Sequence, residues 1–452
     1  MTIKHLNRRA FLQGSAGVAA AGLGAWSDLG RMAFAASNED YRAVVCLFMY
    51  GGNDSNNMVV PTSASEYNNY ARDRTNLAIP SNQLLPINVA NTPGRTFGLN
   101  PNMAAMQKLF NDGNAAIVAN VGPLLQPLTA AEYQSSRNKA PMNLFSHSDQ
   151  QTQWQSSVAD SMIKTGWGGR VTEMMLAQNG VNAGYTVVSV SGNNVWGTGL
   201  RTQPFKISAG GGFGFNFYDP NGKDPLSAAV AETLSRKQQH VFEQAWLDVI
   251  NRSIENQRVL QNAVGSSTVA TQFPNSGLAN QLRMIARMIS ARGSLGLKRQ
   301  AFFASIGGFD THGDGQLNDQ GGRLGEISAA VAAFHAATVE MGIADKVTLF
   351  TASDFNRTYK SNGKGSDHAW GGHHFVVGGG VDGAKMYGNF PQLVINGPDD
   401  AGDGHWLPST SVDQMSATMA KWMGTSATDM ATVFPNLSRF ATQDLGFMKP
   451  VV

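Results

Sequence analysis

The chain has 452 residues, 42% of them hydrophobic and 15% charged, which excludes a disordered protein and allows one large α/β domain or two ordinary ones. A formal net charge of +2, with no run of Lys and Arg, excludes a general nucleic-acid binder. One cysteine, Cys46, excludes an intramolecular disulfide and a Cys-rich zinc site, and its place in an apolar run predicts a buried structural thiol.

The first feature along the chain is an address. Asn7-Arg8-Arg9-Ala10-Phe11-Leu12 precedes an apolar, Gly/Ala-rich stretch from Gly14 to Trp26, and Ala33-Phe34-Ala35 offers a cleavage site. Paired arginines followed by Phe-Leu resemble a twin-arginine signal over residues 1–35. That implies the twin-arginine translocase as a partner during export, and a periplasmic or secreted product beginning near Ala36. The other reading is a chance Arg pair before an ordinary signal peptide or short anchor. The apolar segment is short for a bilayer and no later run is long enough, so no stable membrane span is expected in the mature chain.

Arg42 to Tyr50 (RAVVCLFMY) predicts a strand buried on both faces. It ends in Gly51-Gly52-Asn53-Asp54, where glycines permit close backbone approach and Asn53 and Asp54 supply oxygens, or where a plain turn forms. Asn100-Pro101 reads as an N-cap and first helical residue of a helix to about Asn111. Ala115 to Val121 predicts a second buried strand. Ser146-His147-Ser148-Asp149-Gln150-Gln151 reads as a loop entering a helix. Its hydroxyls lie where an anion is held and a nucleophile is most expected, unless Ser146 or Ser148 only caps the helix. A helix over Gly168–Gln178 and a strand over Tyr185–Val190 follow. Lys206 to Tyr218 is a Gly/Phe-rich loop or β-excursion, not a dinucleotide fingerprint. Leu226 to Val264 and Leu278 to Arg292 read as helices, the first polar enough for a surface hairpin.

The chemical half comes next. Ala301 to Ile306 predicts a strand ending in Gly307-Gly308-Phe309-Asp310-Thr311-His312, and in extended backbone Asp310 and His312 point to one side. Leu324 to Met341 is an amphipathic helix with His335 inside it, read as structural. Val347 to Thr351 is a buried parallel strand delivering Ser353-Asp354-Phe355-Asn356-Arg357. A polar loop then carries Asp367-His368 and His373-His374 before a strand from Phe375. Strand, helix and strand form a βαβ unit with both polar clusters at strand C-terminal ends, the edge where α/β sheets bind ligands. His405 either reaches this site or pins a loop ahead of a capped helix near Ser411 to Trp422. Carboxylates and imidazoles gathered at strand ends suit a zinc- or manganese-type site.

Gly51-Gly52-Asn53-Asp54, Ser146-His147, Gly308-Phe309-Asp310-Thr311-His312, Ser353-Asp354-Phe355-Asn356-Arg357-Thr358, Asp367-His368-Ala369-Trp370-Gly371-Gly372-His373 and Pro408-Ser409-Thr410-Ser411-Val412-Asp413-Gln414 together resemble one family of exported bacterial proteins, DUF1501. The family is related to alkaline phosphatase-like and sulfatase-like enzymes. The resemblance implies an α/β fold with a parallel-rich central sheet flanked by helices, as one domain over residues 36–452 with helical and Gly-rich insertions around 195–295. It also implies one or two divalent ions, zinc first and manganese or calcium after it. Asp54, Asp310, His312, Asp354, Asp367, His368, His373 and His374 become metal candidates. Ser146, His147, Ser148 and Arg357 become catalytic candidates, and Asn53, Asn356 and His405 substrate-binding ones.

Three features depart from the pattern. Phe355 stands where such hydrolases place His directly after the strand-end Asp, no single hydroxyl stands out as the nucleophile, and Asp310-Thr311-His312 is tighter than the usual spacing; either Asp367-His368 replaces the missing imidazole or the fold has lost its metals. The expected activity is hydrolysis of a phosphate or sulfate ester, on a small-molecule or glycan-linked anionic substrate. Arg357 either clamps an anionic oxygen or makes a surface ion pair. The alternative is an exported binding or structural protein that kept the fold without turnover. A redox role has no haem, iron–sulfur or flavin signature behind it.

Overall fold

The computed structural model describes residues 40–210, 218–219, 222 and 224–450. The arginine pair, the expected cleavage site and residues 211–217 of the Gly/Phe-rich stretch lie outside them. The chain divides into two compact units, Met1–Tyr41 and Arg42–Val452, and the second holds every element below.

Its frame is a nine-stranded sheet. In chain order the strands are β1 (Arg42–Met49), β2 (Ala115–Gly122), β3 (Val187–Ser189), β4 (Phe205–Lys206), β5 (Arg299–Ile306), β6 (Val347–Ser353), β7 (Gly372–Val377), β8 (Met386–Tyr387) and β9 (Thr410–Ser411). Their order across the sheet is β8-β2-β7-β6-β1-β5-β3-β4, with β9 also on β2. Only β7 runs against its neighbours, antiparallel to both β2 and β6. Seven of the eight residues of β1 are buried, as expected of a run apolar on both faces with a parallel neighbour on each side. Val44, Cys46 and Phe48 pack with Trp154, Trp167, Met415 and Met419, and the Cys46 thiol is a buried member of that cluster.

The register of β1 sets the site. Met49 pairs with both Ile306 of β5 and Ser353 of β6, so three chains leave the sheet at one level. Strands β5 and β6 are parallel, as the βαβ reading required, but β1 lies between them. Sequence spacing cannot reveal a third strand inserted into such a unit. His373 and His374 were expected in a polar loop and lie inside β7 instead, where His374 pairs with Val118.

The helices that frame the sheet and the site are α1 (Ala64–Arg74), α2 (Ala104–Asn111), α3 (His147–Ser156), α4 (Trp167–Glu173), α5 (Pro225–Ser235), α6 (Val241–Gly265), α7 (Gly277–Ser290), α8 (Gln316–Glu340) and α9 (Val412–Met423), with further short ones at Ala130–Ser135 and Ala427–Val433. Helix α2 starts later than Asn100-Pro101 suggested, because the Asn100 side chain accepts from the Asn102 N–H in a turn before it. Helix α4 stops short of Gln178, and a 3₁₀ stretch with Gly180 at φ 55° follows. The helical run from Leu226 is a hairpin, α5 and α6, with Phe242 and Trp246 exposed. Ser411 caps α9 through a reciprocal box with Gln414. A small antiparallel sheet of Val59–Pro61, Phe97–Leu99 and Leu85–Ile87 had no sequence signal, its strands being three residues each. Among the described residues no helix is long and apolar enough to cross a membrane.

Candidate functional site

The C-terminal edge of β1, β5 and β6 brings together His147, Asp310, His312, Asp354, Arg357, Asp367 and His368. His147 enters from outside the sheet, as the first residue of α3. Gly51 and Gly52 make the approach possible: both have positive φ, and a Cβ at Gly51 would strike the Asp310 backbone while one at Gly52 would strike the Phe355 ring.

Three imidazoles share one arrangement. His147 Nδ1 lies 2.6 Å from Asp354 Oδ2, which already accepts from Gln151 Nε2 at 2.8 Å, so the ring nitrogen is the donor. His368 Nδ1 donates to the Phe145 carbonyl oxygen at 2.7 Å, since a carbonyl cannot donate. His312 Nδ1 donates to Asp367 Oδ1 at 2.9 Å. Each ring thus has its Nδ1 anchored behind it and its Nε2 turned inward, the pattern by which an outer partner fixes a ligating histidine.

The inward atoms converge on Asp310. His312 Nε2 is 2.9 Å and His368 Nε2 3.5 Å from Asp310 Oδ1. His147 Nε2 is 3.5 Å from Oδ2, and the two remaining nitrogens, of His312 and His368, are 3.0 Å apart. His147 Nε2 is buried without a hydrogen-bond partner among the described residues. Nitrogen and oxygen ligands at about 2.0 Å on one tetrahedral ion are about 3.3 Å apart, so these spacings fit a shared cation. His147, Asp310 and His368 form a group able to hold a metal ion.

Charge around the group is ordered. Burial would raise the Asp310 carboxyl, but the Arg357 hydrogen bond and charge, with His147 and His312 nearby, hold it down to about 2. Burial works against Asp367 too, and bonds from His312 and Asn362 keep it below the usual carboxylate range. Burial lowers His368, with the Arg357 charge adding to it, which favours the neutral, ligating ring. Asp354, wholly buried, is raised by desolvation against its bonds from Gln151 and His147.

Arg357 is neither a surface pair nor a clamp open to substrate. Its side chain is fully buried and its donors reach the carbonyls of Gly52, Ser366 and Gly51, the His312 ring and the Asp310 carboxylate. It holds Asp310 from behind. Ser146 and Ser148 lie beside His147 with their hydroxyls 3.3 Å apart, and Ser146 is the N-cap by position without a side-chain cap bond.

The other candidates sit apart from the cluster. Asp54 is buried against Arg74, Gln316 and Asn56. Asn53 bonds Ser353 and Met58, and Asn356 bonds Ser55 and Gly371, both inside the loop framework. His373 accepts from the Asn120 N–H and stacks on Phe390, while His374 packs on Trp154 and contacts Thr351. Burial pushes both rings down to about 3. His405 pins its own loop by bonding the Gly402 carbonyl, and its ring meets Phe145, whose carbonyl anchors His368. Gln151, Arg74 and Phe145 also support the site, through Asp354, Asp54 and His368. Gln151 had a sequence signal, being one helical turn beyond His147.

Fold and site define a class: an α/β protein with a histidine–carboxylate centre at the C-terminal edge of a largely parallel sheet. The family model described as "Protein of unknown function (DUF1501)" matches residues 41–443, and the chain belongs to that family. No curated protein matches the sequence. Among solved structures it is similar to the PsFucS1 sulfatase from Pseudoalteromonas sp., with 8% identity, TM-score 0.37, and coverage of 93% of this chain and 77% of that one. It is also similar to the lipoteichoic acid synthase LtaP from Listeria monocytogenes (9% identity, TM-score 0.34, 93% and 77% covered). A putative sulfatase from Bacteroides thetaiotaomicron is a third (10%, 0.30, 88% and 75%). Likeness at this level says nothing of activity.

Proposed function

We propose that the protein is an exported metal-dependent hydrolase of phosphate or sulfate esters, acting on small-molecule or glycan-linked substrates outside the cytoplasm after twin-arginine export. The observation that carries the hydrolase reading is the convergence of His147 Nε2, His368 Nε2 and the Asp310 carboxylate, with both rings anchored from behind. Two imidazoles and a carboxylate favour zinc over calcium. His147, Asp310 and His368 would bind and orient a divalent ion, which when bound would supply an acidified water or hydroxyl and a Lewis acid for an ester oxygen. Asp354 and Gln151 fix His147, and Arg357 keeps Asp310 ionised and in place. Ser146 and Ser148 flank His147 at the start of α3, and one of these hydroxyls is the nucleophile in this reading. Asp310, His312 and Asp367 face solvent at the mouth, where substrate arrives.

One observation favours the alternative of a binding protein without turnover. The Phe355 ring packs 4.8 Å from His147 and 4.5 Å from His368, and Arg357 has no donor left for a substrate oxygen. Aryl phosphate and aryl sulfate esters with chromogenic leaving groups separate the two readings. We expect turnover that a chelator abolishes, zinc restores, and His147→Ala or His368→Ala removes by at least about a hundredfold. Zinc-loaded protein that hydrolyses neither ester class would leave the binding reading.

A further inference from the structure

We propose that the centre takes a single divalent ion of the zinc type, and that a buried arginine, Arg74, occupies the carboxylate, Asp54, that a second ion would need. This rests on the metal-hydrolase reading and narrows it, since the family resemblance allowed two ions and calcium. The donor atoms already committed within the fold limit how many ions can bind.

Asp54 has none. Its Oδ2 accepts from Arg74 and from Gln316 Nε2 at 2.8 Å, and its Oδ1 accepts from Asn56 Nδ2 at 3.1 Å. The Arg74 side chain is fully buried, and its other amino group donates to the carbonyls of Thr358 and Tyr359 at 2.9 and 3.1 Å. An ion on Asp54 would have to displace a guanidinium that has no route to water, leaving that charge buried and unpaired.

Asp354 is half committed. Its Oδ2 is taken by His147 and Gln151, which makes it a positioning residue for His147, and its Oδ1 is buried without a hydrogen-bond partner among the described residues, a lone oxygen with no imidazole beside it to complete a second site. Where a second imidazole was expected beside it stands Phe355, whose ring walls off that side of His147 and His368. His373 and His374 are held in β7 by Asn120, Phe390, Thr351 and Trp154, none of them part of the cluster; His373 Nε2 is left buried without a hydrogen-bond partner among the described residues, stacked with its ring on Phe390. Arg357 is a fixed cation against Asp310. Among the described residues one set of inward atoms remains at this edge: His147 Nε2, His368 Nε2 and Asp310, whose Oδ1 Arg357 holds and whose Oδ2 it leaves open, with His312 Nε2 beside them. That set is nitrogen-rich and small. Calcium, which takes six to eight oxygens, is a poor match for it.

The test is zinc stoichiometry. Full-length protein stripped with chelator is titrated with Zn²⁺ by calorimetry, and bound metal is counted by elemental mass spectrometry after desalting. We expect one ion per chain, no competition from Ca²⁺ at equal concentration, and at least a hundredfold weaker binding in His147→Ala and in His368→Ala. The double variant Asp54→Asn with Arg74→Met, which removes both buried charges together, keeps one ion at wild-type affinity. X-ray absorption on the wild-type zinc form needs no variant, and we expect imidazole scattering without a metal–metal vector. Two ions per chain, a metal–metal vector, or an ion lost in the Asp54/Arg74 variant while it remains folded by circular dichroism would overturn the single-ion proposal and leave the hydrolase reading standing. A folded chain that binds no zinc would overturn both.

Discussion

Arg74 divides its guanidinium between the Asp54 carboxylate and two carbonyl oxygens, all out of water. Removing one partner strands a buried charge, so Arg74→Met should cost about 3–5 kcal/mol in urea unfolding, and adding Asp54→Asn should recover much of it. Gln151→Ala frees one bond on Asp354 and loosens His147. Its zinc affinity should fall about tenfold to a hundredfold while the stoichiometry is unchanged. At this scale the sequence was informative about which residue types gather and poor about what each one does. Asp310, His312 and Asp354 were legible because they follow strand ends, and Asp367 and His368 because they stand in the polar loop ahead of β7. The commitment of Asp54 to Arg74 was not, because Arg74 ends a polar helix that gave no sign of being buried. His373 and His374 misled for the opposite reason: two polar residues in a row look like loop, yet each is covered by an aromatic ring within a strand.

One glycine and one helix start show what elements impose on single residues. Gly52 combines φ 84° with the Phe355 ring directly where a Cβ would go. Gly52→Ala should therefore destabilise by about 1–3 kcal/mol and loosen zinc binding, read by urea titration and calorimetry. At the start of α9, burial pushes the Asp413 carboxyl up to about 8, against its own backbone N–H and the Arg170 charge. A carboxyl raised above its unfolded value of about 3.9 contributes stability that is complete below that pH and lost as pH rises through 8. Asp413→Asn should accordingly melt higher than wild type at pH 8.5 by the equivalent of about 2–4 kcal/mol, and close to it at pH 4. The large elements were readable because their apolar runs are long: β1, β2, β6, α7 and α9 fall close to their expected bounds. The three-residue strands and the 3₁₀ stretch after α4 were not, since their form is imposed by neighbours.

The whole molecule joins positions that are far apart in sequence. If the centre holds its ion only when α3, β5 and β6 are in place, ion binding is coupled to global folding. Zinc at a hundred times its dissociation constant should then add about 2.7 kcal/mol to stability. A scan with and without chelator should show a higher melting temperature with zinc for wild type and no difference for His147→Ala. The fold class was legible from the strand–helix–strand rhythm of the second half. The place of β1 between β5 and β6 was not, because pairing over so long a separation leaves no local mark.

The same placement has a consequence during synthesis. β1 is the first strand of the sheet to leave the ribosome, and both strands that flank it, from Arg299 and Val347 onward, are among the later ones. At roughly 5–20 residues per second, an almost wholly apolar strand waits on the order of ten seconds to a minute with both edges open. Throughout that interval the nascent chain presents a template for any other extended segment nearby. Yield from a cell should thus depend on what shields residues 42–49 until the second half of the chain arrives.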